Sequence, residues 1–261
     1  IVCLLLMLFF LIENIFNLHF LSFNSRGVRA VGPATAIWFL VFSLPSFIFL
    51  KTKQKHTQSI SIKQSIHTTI NYVKEAWHDK NLMLFLVARL FFIDGLNTIF
   101  ALAGIYAADL FGMSNTHVLY FALSSQVAAL IGTSIFARLD DSIGPLTCLK
   151  INVSILALSV LSLFFIHGES LFWIVGMCLS TTIGPIQSCG RSYMTRISDP
   201  HSINKNFGLY AVSGKITAFL GPWLVGITTA ITQSQRAGIV PVLVLIVIGL
   251  LLLLKLKPVE R

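Results

Sequence analysis

The stretch LMLFLVARLFFIDGLNTIFALAGIYAA, residues 82–108, decides the fold class of this chain. About 20 apolar residues in an α-helix cross the hydrocarbon core of a bilayer, which is about 30 Å thick. The stretch is longer than that, and its only charged residues are Arg89 and Asp94. It therefore predicts a membrane-spanning helix with a carboxylate near the bilayer midplane, where a charge costs about 2.5 to 3.5 kcal/mol.

The composition extends this interpretation to the whole chain. Of its 261 residues, 55% are hydrophobic and 11% are charged, whereas soluble domains contain about 25% charged residues. Hydrophobic runs predict spans at 1–12, 30–50, 82–108, 117–137, 149–167, 171–190, 207–232 and 238–255. The predicted fold class is all-α, a polytopic membrane helix bundle.

The basic residues predict the orientation of these spans. Fourteen Lys and Arg residues lie on one side, in 51–80, 138–150, 191–205 and the tail after 254, and only three lie in the alternate loops. By the positive-inside rule the first set is cytoplasmic. This asymmetry accounts for the net charge of +9, so the chain is expected to contact the lipid bilayer and no nucleic acid.

One long polar connection divides the chain. Residues 51–81 include apolar side chains at helical spacing with lysines between them, the pattern of an amphipathic helix on a membrane surface. Such a connection followed by six spans is typical of a transporter built from two six-helix halves. We therefore interpret 1–50 as the last two helices of an amino-terminal half, the first partial, and 82–261 as a six-helix carboxyl-terminal half. Roughly the first four helices of such a protein are then lacking.

The cysteines and histidines indicate no metal site, cofactor or enzyme. No Cys-x-x-Cys pair occurs, and the four cysteines lie mostly in or beside hydrophobic runs, which favours packing over metal or disulfide use. HExxH, GxSxG and phosphate-binding Gly-rich loops are absent from the sequence, and the histidines are scattered. A membrane-bound catalyst is therefore not predicted.

The stretch ARLDDSIGP, residues 137–145, resembles the Gly-x-x-x-Asp-Arg-x-Gly-Arg-Lys loop signature of the major facilitator superfamily. Asp140 or Asp141 and Gly144 stand at matching positions, whereas Ala replaces the leading Gly and Pro-Leu replaces the basic pair. In that family the Asp caps a neighbouring helix end and the Gly permits the turn. The resemblance implies a gating latch at these three residues; the alternative is an ordinary polar turn.

Four further stretches carry a wider resemblance: RLFFIDGLNTIFALAGIYAADLFGMS, GPIQSCGRS, NFGLYAVSGKITAFLGPWLVG and SQRAG. Together they are similar to the major facilitator branch that contains the vacuolar amino-acid effluxer called autophagy-related protein twenty-two and its bacterial relatives. The resemblance covers about 30–257 and departs at 188–190, where Ser-Cys-Gly replaces the usual Ala, a variable residue and Ser. It implies a transporter in a bacterial inner membrane or, in a eukaryote, a vacuolar membrane.

Polar residues inside the spans are the candidate binding groups. Asp94 is the only acidic residue deep in any predicted span, with Asn97 three residues later on the same face. It is predicted to bind a proton or a solute ammonium group, with Arg89 and Lys215 as its neutralising partners or as carboxylate binders. The alternative is that Asp94 only ties two helices together. Gln126 and Gln187 are further candidates for hydrogen bonds in a cavity; the alternative is that each only forms hydrogen bonds between helices.

Two Gly-Pro pairs interrupt predicted spans, at 184–185 and 221–222. Proline removes a backbone donor and clashes with the preceding turn, so both spans are predicted to kink. These features together predict a secondary active transporter of a small polar solute, with amino-acid efflux by alternating access implied by the resemblance. Two alternatives remain open: a membrane scaffold or receptor that does not transport, and an inactive fragment of a transporter.

Overall fold

The structure is a computed structural model that describes residues 27–49, 77 and 79–257. The described residues form helices and no strand. We number the helices α1 Gly27–Phe49, α2 Lys80–Phe111, α3 Asn115–Ile143, α4 Pro145–Ser162, α5 Glu169–Ser180, α6 Ile183–Ile197, α7 Ile203–Ser213, α8 Leu220–Thr232 and α9 Gln235–Leu254. The predicted span 1–12 and all but the end of the predicted connection 51–81 lie outside the described residues.

The chain divides into two compact units, residues 1–62 and 63–261. In the first unit, α1 matches the predicted span 30–50, and most of its described side chains between 36 and 49 are exposed and apolar. Among the described residues of the second unit, five segments are long and apolar enough to cross a membrane. These are Lys80–Phe111, Asn115–Ile143, Pro145–Ser162, Glu169–Ile197 and Gln235–Leu254. The predicted all-helical membrane bundle is confirmed.

The boundaries follow local chemistry. Asp79 caps α2, because its side chain accepts the backbone N–H groups of residues 81 and 82, and Gly112 ends the helix at φ 66°. α4 begins at Pro145 rather than at the predicted residue 149, because proline needs no N–H donor at the first helical position. Gly144, with φ 84°, forms the turn between α3 and α4.

The predicted end of the fourth span of this unit, at residue 190, is wrong. α6 continues to Ile197, so Arg191 and Arg196 lie within a helix and not in a loop. Hydropathy falls over this segment, but one face of α6 is still buried, at Cys189, Tyr193 and Met194. Burial of that face maintains the helix although its other side is polar.

Both predicted kinks are confirmed as interruptions of the helix, of different length. The fourth span is interrupted at Thr181–Thr182, between α5 and α6, and the fifth at Gly214–Phe219, between α7 and α8. In each case the proline, Pro185 or Pro222, is the third residue of the second half-helix. The first turn of a helix has N–H groups without intrahelical partners, so proline fits there at little cost.

The helices α2 and α9 form the most extensive helix–helix contact among the described residues of the second unit. A Cβ atom built on Gly249 of α9 would lie 2.7 Å from the backbone nitrogen of Phe92. One built on Gly95 of α2 would lie 2.5 Å from Cγ1 of Ile246. Glycine therefore lets the two backbones approach, as small residues do between membrane helices. This contact fixes α2, which carries the candidate charges.

Candidate functional site

Asp94 lies buried near the middle of α2, with 2% of its surface exposed. Its Oδ2 atom accepts a hydrogen bond of 3.0 Å from the backbone N–H of Gly221. Gly221 is the second residue of α8, so this N–H is one of the donors that a helix amino terminus leaves free. The carboxylate therefore lies at the positive end of the α8 dipole, which favours negative charge.

The sequence around Gly221 allows this contact. A Cβ atom built on Gly221 would overlap Oγ1 of Thr98, so only glycine lets α8 approach α2 so closely. Thr98 lies one turn after Asp94 and donates a hydrogen bond of 2.7 Å to its backbone carbonyl. Pro222, the next residue of α8, has no N–H to satisfy. Asp94 and Thr98 thus form the surface on which α8 begins.

Arg89 binds the other side of the same break. Its Nη1 atom donates hydrogen bonds to the carbonyl oxygen of Tyr210, at 2.7 Å, and to Oγ of Ser213, at 2.9 Å. Its Cζ atom lies 3.6 Å from the centre of the Tyr210 ring, a cation–π contact. Tyr210 and Ser213 are in the last turn of α7, where the helix dipole is negative.

Two charges on one helix therefore hold the two ends of a broken span. Arg89 neutralises the carboxyl end of α7, and Asp94 neutralises the amino end of α8. Unsatisfied backbone groups inside a membrane cost several kcal/mol each, and a helix that breaks at membrane depth exposes such groups. This arrangement explains why a segment otherwise suited to lipid carries an arginine and an aspartate.

The predicted ionic partners of Asp94 are wrong within the described residues. Neither Arg89 nor Lys215 forms an ion pair with it, whereas His117 and Glu169 do form one. Lys215 lies in the turn between α7 and α8 and is exposed. The other carboxylate oxygen of Asp94, Oδ1, is buried without a hydrogen-bond partner. From the sequence, only charged side chains could be recognised as partners of Asp94. In the structure its partner is the amino end of a helix.

Asn97, Gln126 and Gln187 do not join this site. All three are exposed, whereas Asp94 is buried, so Asn97 does not share its environment despite the spacing of three residues. Gln187 belongs instead to an exposed polar stripe on α6. We call Gln187, Ser188, Arg191 and Thr195 the α6 stripe. The sequence signal for it was present, polar residues recurring at helical spacing after Pro185, but the end predicted at residue 190 concealed it.

The loop residues Asp140, Asp141 and Gly144 occupy the end of α3 and the turn that follows. Gly144 has the positive φ that the turn requires, and its N–H donates to the carbonyl of Asp140 at 3.1 Å. Asp140 is half-buried and Asp141 is exposed. The gating latch at these residues stays a prediction.

Comparisons with known proteins agree with this architecture. A family model described as "Vacuole effluxer Atg22 like" matches residues 1–261. The chain is 29% identical over 226 residues to the "Uncharacterized MFS-type transporter YxiO" of Bacillus subtilis, covering 84% of this chain and 51% of that protein. It is 23% identical over 255 residues to "Autophagy-related protein 22" of Cryptococcus neoformans, covering 86% of this chain and 45% of the relative.

A third relative, "Autophagy-related protein 22-1" of Neosartorya fischeri, is 24% identical over 263 residues, covering 90% of this chain and 43% of the relative. The chain thus spans about half the length of these curated relatives. Proteins of the transporter type named in the first relative are not enzymes, in agreement with the sequence prediction. With five segments among the described residues that are long and apolar enough to span a membrane, the chain is a multi-pass membrane protein.

Proposed function

We propose that this chain, which belongs to the family described as vacuole effluxer Atg22 like, is a secondary active transporter of a small polar solute. The observation that carries the proposal is the break between α7 and α8, held at both ends by charges of α2. Alternating access requires part of a bundle to move against the rest, and broken helices with charged partners are typical of membrane transporters.

In the proposed mechanism the two charges of α2 stabilise one position of the broken span. When α8 moves relative to α2, the hydrogen bond from Gly221 to Asp94 opens, while Arg89 keeps α7 in place through Tyr210 and Ser213. The exposed turn 214–219 absorbs the change in backbone direction. A span divided in this way can bend at the break while each half-helix moves as a unit.

Asp94 is the proposed proton site. Protonation would remove the negative charge that the amino end of α8 stabilises, and so weaken the contact between Asp94 and α8. The nearby basic residues do not form ion pairs with Asp94: Arg89 lies five residues earlier on the same helix, and Lys215 is exposed in the turn. Proton binding would thereby bias the position of the broken span, which is the coupling that a secondary transporter needs.

Solute binding is proposed at exposed polar groups of the spans. Asp94 and Arg89 are not free to bind a zwitterion in this arrangement, because both side chains are engaged by helix ends. An amino acid would instead place its carboxylate on Arg191 of the α6 stripe or on Lys215. Gln187, Gln126 and Asn97 are also exposed and add donors and acceptors.

Reconstitution into proteoliposomes tests this function. We expect the protein to carry at least one radiolabelled amino acid from a panel of acidic, basic and neutral ones faster than protein-free vesicles, with a rate that depends on an imposed pH gradient. Asp94→Asn should insert normally and lose the gradient dependence. Asp109→Asn is the matched control, an exposed acid on the same helix, and should retain it.

Each result has a separate meaning. Transport of no amino acid by the unmodified protein would refute amino-acid transport. Normal flux with an unchanged pH dependence in Asp94→Asn would leave transport intact and exclude Asp94 as its proton site.

A further inference from the structure

Three metal-ligating side chains meet where α3, α4 and α6 come together, although the sequence predicts no metal site. Asp140 is in the last turn of α3, Cys148 in the first turn of α4, and Cys189 in α6. One ligand atom from each, a carboxylate oxygen and two Sγ atoms, lies within 4.8 Å of the other two.

We propose that Asp140, Cys148 and Cys189 form a binding site for a thiophilic divalent cation such as Zn²⁺. Zinc binds cysteine sulfur at about 2.3 Å and carboxylate oxygen at about 2.0 to 2.2 Å, in tetrahedral geometry. Ligand atoms of one such ion are therefore about 3.5 to 3.8 Å apart. Ligand atoms 4.8 Å apart would therefore need to approach each other by about 1.0 to 1.3 Å to share an ion.

The burial of the three groups favours a cation. Cys148 and Cys189 are 0% and 1% exposed. Oδ1 of Asp140 is buried and has no hydrogen-bond partner in the structure. A buried carboxylate oxygen without a donor is costly, and an ion supplies the missing positive charge. Two thiols and a carboxylate form a soft ligand set that favours zinc over magnesium or calcium.

The site lies beside the turn between α3 and α4. Asp140 is half-buried, and it precedes the turn at Gly144 that leads into α4. Binding would release the two thiol protons, because thiolate is the ligand form. A water molecule completes the fourth position of the tetrahedron.

Such a site would join α6 to the α3–α4 turn. Cys189 follows the break at Thr181–Thr182 by two helical turns, and Cys148 is hydrogen-bonded through its N–H to the carbonyl of Gly144. A bound ion would thus connect the half-helix after the break to the loop that carries the predicted latch. We expect it to stabilise the folded state, since it binds the native arrangement and not the unfolded chain.

Cobalt substitution tests the site in the detergent-purified, reduced protein. Co²⁺ added to the unmodified chain should give the sulfur-to-cobalt charge-transfer band and the tetrahedral d–d bands of a thiolate site, at one ion per chain. Zn²⁺ should displace it and raise the thermal midpoint. Cys148→Ser and Cys189→Ser should lose the charge-transfer band, and Asp140→Asn should weaken binding at least tenfold.

Two matched controls lie nearby. Cys178→Ser removes an exposed cysteine of α5, and Asp141→Asn neutralises the exposed neighbour of Asp140; both should bind as the unmodified chain does. A reduced, unmodified protein without the charge-transfer band would overturn the proposal, whatever the variants do. So would a band that persists in Cys148→Ser, since the ion would then be bound elsewhere. The proposal would also be overturned if the two thiols formed a disulfide in the purified protein and reduction of that disulfide did not allow Co²⁺ to bind.

Discussion

The two broken spans of this protein begin their second halves in the same way and are held in different ways. Both have Gly-Pro at the second and third positions of the new half-helix. In both, a threonine of a neighbouring helix lies against that glycine: Thr133 against Gly184, and Thr98 against Gly221. Each threonine donates to the carbonyl four residues before it, at 2.7 Å.

The groups that satisfy the breaks differ. At the α5–α6 break only two residues leave the helix, and their own hydroxyls satisfy the preceding carbonyls. Thr181 donates to the carbonyl of Cys178 at 2.6 Å, and Thr182 to that of Leu179 at 2.7 Å. At the α7–α8 break six residues leave the helix, and Arg89 and Asp94 of α2 bind its two ends.

The difference shows what the membrane-embedded charges do. A short break needs only local hydroxyls, because the two helical halves stay nearly continuous. A longer break separates two helix ends with opposite partial charges, and neutral side chains compensate these less well than ions do. Charges also make the contact switchable, since removing one charge weakens one end alone. Under the proposed function, the short break is structural and the long break is the one that moves.

The largest loss of stability is expected at the short break, where a glycine packs directly against backbone atoms. A Cβ atom on Gly132 would overlap the carbonyl oxygen of Thr181, which cannot rotate away. Gly132→Ala should therefore destabilise the protein by about 3 kcal/mol, the upper end of overpacking costs. Gly221→Ala meets only the side chain of Thr98 and should cost about 1 kcal/mol.

Unfolding by SDS titration, followed by loss of helical circular dichroism, measures both free energies. Gly226→Ala is the matched control on α8, because nothing lies within 4 Å of a Cβ atom built there. It should change the free energy of unfolding by less than about 1 kcal/mol. Equal costs for Gly132→Ala and Gly221→Ala would mean that the two breaks do not differ in rigidity.

Arg89→Met comes next in size. The substitution keeps much of the apolar stem and removes both hydrogen bonds to the end of α7, leaving the Tyr210 carbonyl without its charged donor. Hydrogen bonds to charged groups contribute about 1.5 to 3 kcal/mol, so we expect a loss of about 2 kcal/mol in the same titration. Arg138→Met, at an exposed position of α3, should have little effect. Similar losses of stability in both variants would contradict the proposal that Arg89 stabilises the end of α7.

Asp94→Asn should be milder, at about 1 kcal/mol, because the amide oxygen still accepts the Gly221 N–H and only the charge is lost. Its effect should be local to the long break. In a cysteine-free background, the maleimide labelling rate of Ala218→Cys, in the exposed turn, should rise when Asp94→Asn is added. Thr182→Val, which alters only the short break, should leave that rate unchanged. An unchanged rate in Asp94→Asn would show that the charge does not hold α8.

The sequence predicted the spans and the two interruptions because each depends on local chemistry. Transfer of apolar side chains from water marks a span, and Pro185 and Pro222 mark breaks through the donor that they lack. The partners of Asp94 were not predictable in this way, since Gly221 lies 127 residues away and contributes a backbone N–H rather than a charge. The same holds for Cys148 and Cys189, whose proximity depends on how α4 packs against α6.

The smallest expected effect distinguishes a helix-end contact from an ion pair at the long break. If Asp94 and Lys215 formed a pair, removing one partner would leave the other uncompensated, and removing both would recover much of the loss. Lys215 is exposed and forms no ion pair among the described residues, so Lys215→Met should change stability by less than about 0.5 kcal/mol. The double variant with Asp94→Asn should then equal the sum of the single changes within about 0.5 kcal/mol. A positive control is Asp94→Asn combined with Gly221→Ala, in which the two altered residues touch and should show coupling. If the double variant Asp94→Asn with Lys215→Met recovered stability, the principal partner of the Asp94 carboxylate would be the Lys215 side chain and not the amino end of α8.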